Sequence, residues 1–260
     1  MTLDCQSAAM SNLQELASHD AHSVLIEGPS GCGKTYLAKE YAKLLGIPDF
    51  QVIESTVPSI RFAIEQCLNL SNNIVICIEN LDEGVVQASY VLLKFLEEPN
   101  PNVYVVVTCS NRCAVPDTIV SRSACISISV PTSHDLEMYA KELDLAQYEV
   151  LKANPITRSV KTFGQLKTLF GMNIDQLTYV ADIGHTVSTC DSVSDAVWKL
   201  GHYPDGSATP LGLVIGYIID ATQESNVRKA GLVCARELSQ SRIASHAILA
   251  KFIFEWMYGG

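Results

Sequence analysis

Short apolar runs alternate with amphipathic stretches through the first half of the chain. Val24–Ile26, Phe50–Ile53, Ile74–Ile78 and Val103–Thr108 are almost continuously apolar and bounded by turn residues, whereas Cys125–Val130 alternates. Runs of this length read as strands, and continuous ones need cover on both faces, as in a parallel sheet. Between them the period lengthens to that of helices. Residues 3–18 lead into a helix ending near Ser18-His19, and residues 36–46 place Leu37, Tyr41, Leu44 and Leu45 on one face. From Pro58, Ile60, Ile64, Cys67 and Leu68 form a stripe; over 85–98, Val85, Ala88, Leu92 and Phe95 form another. Gly46-Ile47-Pro48 and Pro99 stop helices, and Asn72-Asn73 marks a turn. This alternation predicts a doubly wound α/β domain with five parallel strands. After Thr132 the strand pattern disappears. Helices are predicted at Asp135–Leu143, Ala146–Ala153 and Ser159–Phe170. A polar linker over 183–209 carries a short helix at Val193–Leu200. Three helices close the chain at Leu211–Thr222, Ser225–Leu238 and Ile243–Tyr258. The expected domains are 1–131, 132–185 and 186–260.

Composition narrows the class. With 260 residues, 48% hydrophobic and 18% charged, the chain can bury real cores and is not disordered. A net charge of −10 argues against a protein that grips nucleic acid alone, since such domains carry a basic excess. Nine cysteines are scattered without a CxxC, and no His or Cys joins Cys109 and Cys113 in a zinc-like cluster. Free thiols of a reducing cytosol are the better reading. His19 and His22 are expected to be solvated loop residues. The N-terminus lacks a signal-peptide pattern, and Leu211–Ile219 falls far short of the roughly 20 residues that span a bilayer. A cytoplasmic protein without a membrane segment is expected.

The chemistry is concentrated at VLIEGPSGCGKT, residues 24–35. Gly28, Pro29, Ser30, Gly31, Cys32, Gly33, Lys34 and Thr35 fit GxxxxGKT, the P-loop, between a predicted strand and a predicted helix. Its glycines let backbone N–H groups turn inward onto a polyphosphate. Lys34 supplies a charge for the outer phosphates, the Thr35 hydroxyl suits Mg²⁺, and the following helix offers its N-terminus to the anion. ATP with Mg²⁺ is the implied ligand. The strand at 74–78 ends in Glu79-Asn80-Leu81-Asp82-Glu83, at the sheet edge where ligands of open α/β folds bind. Glu79 is the candidate acidic partner of the metal. Glu97 and Glu98 sit in the last helical turn, where the helix dipole disfavours them; this marks either a functional or interface position or plain solvation.

The order of these signals, with a polar strand end at Cys109-Ser110-Asn111-Arg112 and an arginine bend at Ser121-Arg122-Ser123, resembles an AAA+ ATPase. LLKFLEEPNPNVYVVVTCSNR from Leu92, followed by VPDTIVSRS, narrows the resemblance to the clamp-loader ATPases of DNA polymerase III and replication factor C, with the delta-prime and gamma/tau subunits nearest. QVIESTVPSIRFAIEQ fits the same pattern upstream. The resemblance covers residues 1–170; the last 70 residues match only in being helical, as the family's collar domain is.

The resemblance implies an AAA+ P-loop domain, a small helical lid and a collar-like oligomerisation domain. Gly28, Gly33, Lys34 and Thr35 would cradle ATP and Mg²⁺, with Glu79 in the metal-side acidic place. Ser110 or Asn111 would take the polar sensor near the γ-phosphate. Arg122 would be the arginine finger that reaches a neighbouring subunit's nucleotide, and Arg158 a candidate for the second sensor. The chain departs from the pattern at Asn80, where the family's glutamate polarises the attacking water; an amide cannot accept that proton. Asp82 and Glu83 are offset from the strand end and poorly placed to substitute. Ser123 replaces the bend's usual Cys, and no Cys cluster lies between Thr35 and Glu79, where many bacterial relatives carry a zinc module. The implied protein is an ATP-binding clamp-loader subunit, working with about four further subunits, a sliding clamp and primer-template DNA. It is either a motor with weakened hydrolysis or a delta-prime-like stator that binds nucleotide and donates Arg122. A platform in which the P-loop is structural is the competing class.

Overall fold

The computed structural model describes residues 4–67, 72–97, 100–173, 175–178, 180, 182 and 213–216. The chain divides into two units, residues 1–135 and 136–260.

The first unit opens with a single 15-residue helix, α1 (Asp4–Ser18), followed by β1 (Ser23–Glu27). Next come α2 (Lys34–Leu44), β2 (Asp49–Glu54), α3 (Val57–Cys67) and β3 (Ile74–Glu79). A 3-10 turn, Leu81–Glu83, precedes α4 (Val86–Glu97) and the fully buried β4 (Val103–Cys109). A short α5 (Asp117–Val120) leads to β5 (Ala124–Ser127). All pairings are parallel and the strand order is β2-β3-β4-β1-β5.

Alternate strand residues divide between two cores, as the pleat requires. Val24, Ile26, Val75, Cys77 and Val106 pack with Leu13 of α1 and Leu37 and Tyr41 of α2. Leu25, Ile76, Ile78, Val105 and Val107 pack with Ile60 of α3, Leu92 of α4 and Ile119 of α5. The helix after β1 therefore lies on one face and the helix after β3 on the other. Where they part, at the carboxyl edge of the sheet, an open α/β fold forms its binding crevice.

Several sequence expectations need correction. Leu44 is 40% exposed; α2 buries Leu37, Ala38, Tyr41 and Ala42 instead. At about 100° per residue that arc is centred between Leu37 and Ala42, which leaves Leu44 at its rim. Val85 is exposed and lies outside α4; the apolar stripe is completed by Leu81 from the preceding turn. β5 stops at Ser127, and Val130 is exposed. His22 is not simply solvated: its ring stacks on Tyr104 at 4.3 Å, with Nδ1 3.1 Å from the Val103 carbonyl. Leu68, Glu98 and Pro99 lie outside the described residues.

The second unit contains most of α6 (Ser133–Leu143), together with α7 (Leu145–Leu151) and α8 (Phe163–Phe170). The helix expected over Ser159–Phe170 begins only at Phe163. Pro155–Ser159 forms a 3-10 turn capped by Asn154, and α8 starts afresh behind Thr162. The Thr162 hydroxyl accepts the Gln165 N–H as an N-cap does, while the Gln165 side chain accepts the N–H of Lys161, one residue before the cap. Residues 213–216 are helical; the rest of the three closing helices, the Val193–Leu200 helix and the boundary at 185 lie outside the described residues.

Candidate nucleotide site

The loop between β1 and α2 is fixed by backbone demands before side chains enter. Gly31 and Gly33 take φ of 74° and 98°, in the left-handed region that favours glycine. Gly28 is required by space: a Cβ there would meet Ile128 Cγ1 at 2.8 Å and the Ile128 carbonyl oxygen at 3.0 Å. The Gly28 N–H donates to the Cys109 carbonyl at 3.0 Å, which ties the loop to the end of β4. From α1, the buried Gln6 donates through Nε2 to the Cys32 carbonyl at 3.0 Å. Burial raises the Cys32 thiol above its ordinary value against the pull of Lys34, so this cysteine packs as a neutral side chain. Pro29, Ser30 and Gly31 are exposed at the tip.

Lys34 is 7% exposed, a depth at which an ammonium needs acceptors. Its Nζ donates to the carbonyls of Gly28 (2.7 Å) and Pro29 (3.1 Å) and to Ser110 Oγ (3.4 Å). The Thr35 hydroxyl donates to Glu79 Oε1 at 2.5 Å. The oxygens assigned to a metal from sequence are thus adjacent, although 44 residues separate them. The glycine cradle, the buried lysine and this oxygen pair fit a Mg²⁺-bound polyphosphate.

Ser110 and Asn111 separate in their duties. Ser110 faces Lys34, whereas the Asn111 side chain accepts the Cys113 N–H and caps the 3-10 turn Arg112–Ala114. Asn80 adopts φ 50° and ψ 55°. Its N–H donates to Thr108 Oγ1 and its carbonyl accepts from the Ser55 hydroxyl, both at 3.1 Å. Asparagine tolerates this left-handed geometry better than glutamate does, so the local backbone supplies a reason for an amide here.

Three contributors were missed or undervalued in the sequence. Gln6 braces the P-loop. Glu27 accepts the Arg112 N–H at 2.9 Å through Oε1, with Ser127 Oγ 3.2 Å from its Oε2. Asp82 accepts the N–H groups of Ser110 and Asn111 through one oxygen, each at 2.9 Å. No spacing rule points to them, because each acts on a segment distant in sequence.

Arg122 lies elsewhere. It precedes β5, and its neighbour Ser123 sits 2.8 Å, Oγ to Oγ, from Ser23 at the start of β1. Gly28 follows the other end of β1; five strand residues at about 3.3 Å each put roughly 16 Å between the two edges. Arg122 donates through Nη1 to the Thr118 carbonyl and through Nη2 to Glu97 Oε1, both at 3.0 Å, and keeps 39% of its side chain exposed. Glu97 at the end of α4 therefore has a cationic partner that offsets the helix dipole. Arg158 is an exposed residue of the Pro155–Ser159 turn in the second unit, its carbonyl accepting from Lys161.

Among the described residues no helix is long and apolar enough to cross a membrane, and no group of three His, Cys, Asp or Glu could hold a metal ion by itself. Residues 57–132 match the family described as DNA polymerase III, delta subunit. A search of curated proteins finds no match. Among solved structures the chain is similar to a DNA polymerase III gamma-subunit-related protein of Thermotoga maritima. The TM-score is 0.53 and the identity 12%, over 95% of this chain and 98% of that one. It is also similar to the RuvB Holliday junction branch migration motor of the same organism. There the TM-score is 0.52 and the identity 18%, over 90% of this chain and 84% of that one. The fold is that of the AAA+ P-loop ATPases, and the resemblance to clamp-loader ATPases read from the sequence stands across residues 57–132.

Proposed function

We propose that this chain is an ATP-binding subunit of a sliding-clamp loader, acting in the cytoplasm with about four other subunits to open a clamp onto primed DNA. The observation that carries this reading is the division of labour between the two edges of one sheet. The carboxyl edge gathers Lys34, Thr35, Glu79 and Ser110, while the amino edge presents Arg122 too far away to serve the same nucleotide. An arginine so placed suits a nucleotide held by an adjacent subunit, where a finger of this kind is worth about 10³–10⁵ in rate. The match to a DNA polymerase III family over residues 57–132 supports the replication setting.

In this reading the P-loop amides and Lys34 hold the phosphates, and Thr35 and Glu79 hold Mg²⁺ directly or through water. The metal, when bound, neutralises charge on the outer phosphate oxygens. An arriving phosphate replaces the Gly28 and Pro29 carbonyls as the partner of Lys34 Nζ. Ser110, within reach of Lys34, donates a hydrogen bond at the outer-phosphate end. Arg158 is retained as the second sensor, residues 132–185 as a lid and 186–260 as a collar, all as part of the proposal.

Asn80 favours a second version. With an amide in place of the proton acceptor, and Asp82 already occupied by two backbone N–H groups, the chain suits a stator that binds ATP, lends Arg122 and turns over little itself. Turnover by the assembly, with Lys34→Ala and Arg122→Ala beside the parent, separates the versions. Loss with both substitutions marks a motor. Loss with Arg122→Ala alone marks a stator. An assembly whose turnover ignores both changes, with a chain that binds no ATP, would return the P-loop to a structural role.

A further inference from the structure

The 3-10 turn after β3 carries a carboxylate whose two oxygens have unequal surroundings. Asp82 Oδ2 accepts from two consecutive backbone N–H groups, those of Ser110 and Asn111, each at 2.9 Å. Asp82 Oδ1 is buried and, among the described residues, has no hydrogen-bond partner. An anion bridging two N–H groups makes strong, charge-assisted bonds.

The base from which Asp82 acts is well anchored. Leu81 is 2% exposed in the core, the Glu83 N–H donates to the Asn80 carbonyl at 3.0 Å, and that carbonyl also accepts from Ser55. The segment that Asp82 receives is tied beyond it by the Arg112 N–H on Glu27 and the Cys113 N–H on Asn111. β4 ends at Cys109, and the chain must leave the sheet at Ser110 while keeping the Ser110 hydroxyl at Lys34. The two N–H groups gripped by Asp82 belong to the residue that faces the outer-phosphate lysine and to the one after it.

We infer that Asp82 is the positioning residue of the site's outer-phosphate end: it sets the Ser110 hydroxyl against Lys34, so that its loss costs preference for a nucleoside triphosphate over the diphosphate. The inference rests on the ATP-binding reading above. It separates two roles within one crevice, because the loop backbone around Gly28 and Gly33 holds the inner part of the ligand without help from Asp82. It also gives Asp82 a use other than proton abstraction.

The test is a titration of the full-length chain with ATP and with ADP, both with Mg²⁺, for the parent, Asp82→Ala, Asp82→Asn, Ser110→Ala and the double variant Asp82→Ala/Ser110→Ala. The parent is expected to prefer ATP. Asp82→Ala should weaken ATP about tenfold while leaving ADP within about twofold. Asp82→Asn keeps an oxygen that accepts both N–H groups and should restore most of the preference. Because Asp82 acts through Ser110, the double variant should lose little more than Ser110→Ala alone. Equal loss of ATP and ADP, or additive losses in the double variant, would overturn the inference while leaving ATP binding intact. If the parent binds neither nucleotide, the ATP-binding reading falls and takes this inference with it. Should Asp82→Ala fail to fold, Asp82→Asn and Ser110→Ala still decide: an Asp82→Asn preference below that of Ser110→Ala contradicts positioning through the hydroxyl.

Discussion

The two edges of the sheet are built on different terms. At the carboxyl edge, polar side chains from distant segments meet in partial burial: Lys34 with Ser110, Thr35 with Glu79, and Asp82 with the backbone after β4. At the amino edge, Arg122 stays exposed and rests on one carbonyl and one carboxylate, Glu97, itself half-exposed. Buried polar networks resist rearrangement because breaking one contact strands another group away from water. An exposed ion pair is worth about 0–1 kcal/mol and is exchanged readily. A site that must hold a ligand in fixed geometry needs the first kind of construction. A group that must leave its own subunit for another's ligand needs the second.

That contrast is broken most severely at Arg122. If its partner is a neighbour's nucleotide, Arg122→Ala should lower turnover of the assembly by about 10³-fold or more. ATP affinity of the isolated chain should stay within about twofold. Steady-state turnover of the reconstituted assembly and a binding titration of the chain read these separately; a comparable loss in the titration would mean that Arg122 serves its own site. Lys34→Ala should act on the chain's own nucleotide binding. A charge-assisted contact to phosphate is worth about 1.5–3 kcal/mol, so ATP affinity should fall about 10- to 100-fold in the isolated chain. The same titration, paired with a thermal melt showing the fold intact, checks it.

Gly28→Ala tests whether the carboxyl edge is sterically closed. The added methyl would press on Ile128 Cγ1 and the Ile128 carbonyl oxygen, and overpacking of this kind costs about 1–3 kcal/mol. Denaturant unfolding should register that loss, and nucleotide affinity should fall with it, since the loop that moves is the one that cradles phosphate. Asn80→Ala makes a milder demand. A β-carbon without the asparagine's local polarity in the left-handed region costs about 1–2 kcal/mol, whereas Asn80→Gly should be close to neutral. If both substitutions behave alike, φ 50° is not the reason for the amide.

Legibility in the sequence followed the range of the forces involved. β1, β3 and β4 were readable because a strand covered on both faces must be apolar throughout, and VLI, IVICI and VYVVVT are. The turn between β1 and α2 was readable because Gly28, Gly33, Lys34 and Thr35 lie between an apolar run and a helical stripe. The place of Glu79 at a strand's carboxyl end was readable from the apolar run before it. The break at 160–162 was not: Val160 and Phe163 are both buried, so the apolar period runs through the gap, and only the Thr162 and Gln165 caps mark two elements. Leu44 was misplaced because periodicity gives the direction of a buried arc but not its width, and Val85 because periodicity does not fix where a helix begins. Gln6 and Asp82 were out of reach for a different reason. Their partners, Cys32 and the Ser110-Asn111 backbone, are 26 and 28 or 29 residues away, and a carboxylate that receives backbone N–H groups leaves no pattern of its own.

The smallest expected effect is the most discriminating for the amino edge. Glu97→Gln keeps the shape of the last turn of α4 and removes the charge that Arg122 Nη2 meets. As a surface pair its loss should change stability by no more than about 0.5 kcal/mol, the more so because removing an acid from a helix C-terminus relieves an unfavourable dipole term of similar size. Turnover of the assembly should not share that insensitivity. In the proposed assembly, Arg122 freed from Glu97 would have one less competitor for a neighbour's phosphates but also one less guide to its direction, with Nη1 still on the Thr118 carbonyl. Competition predicts faster turnover at low ATP, guidance predicts slower turnover at every ATP concentration, and the two are separated by the KM and kcat of one variant. No change in either would mean that the pair is an incidental surface contact and that the exposed arginine alone distinguishes the amino edge.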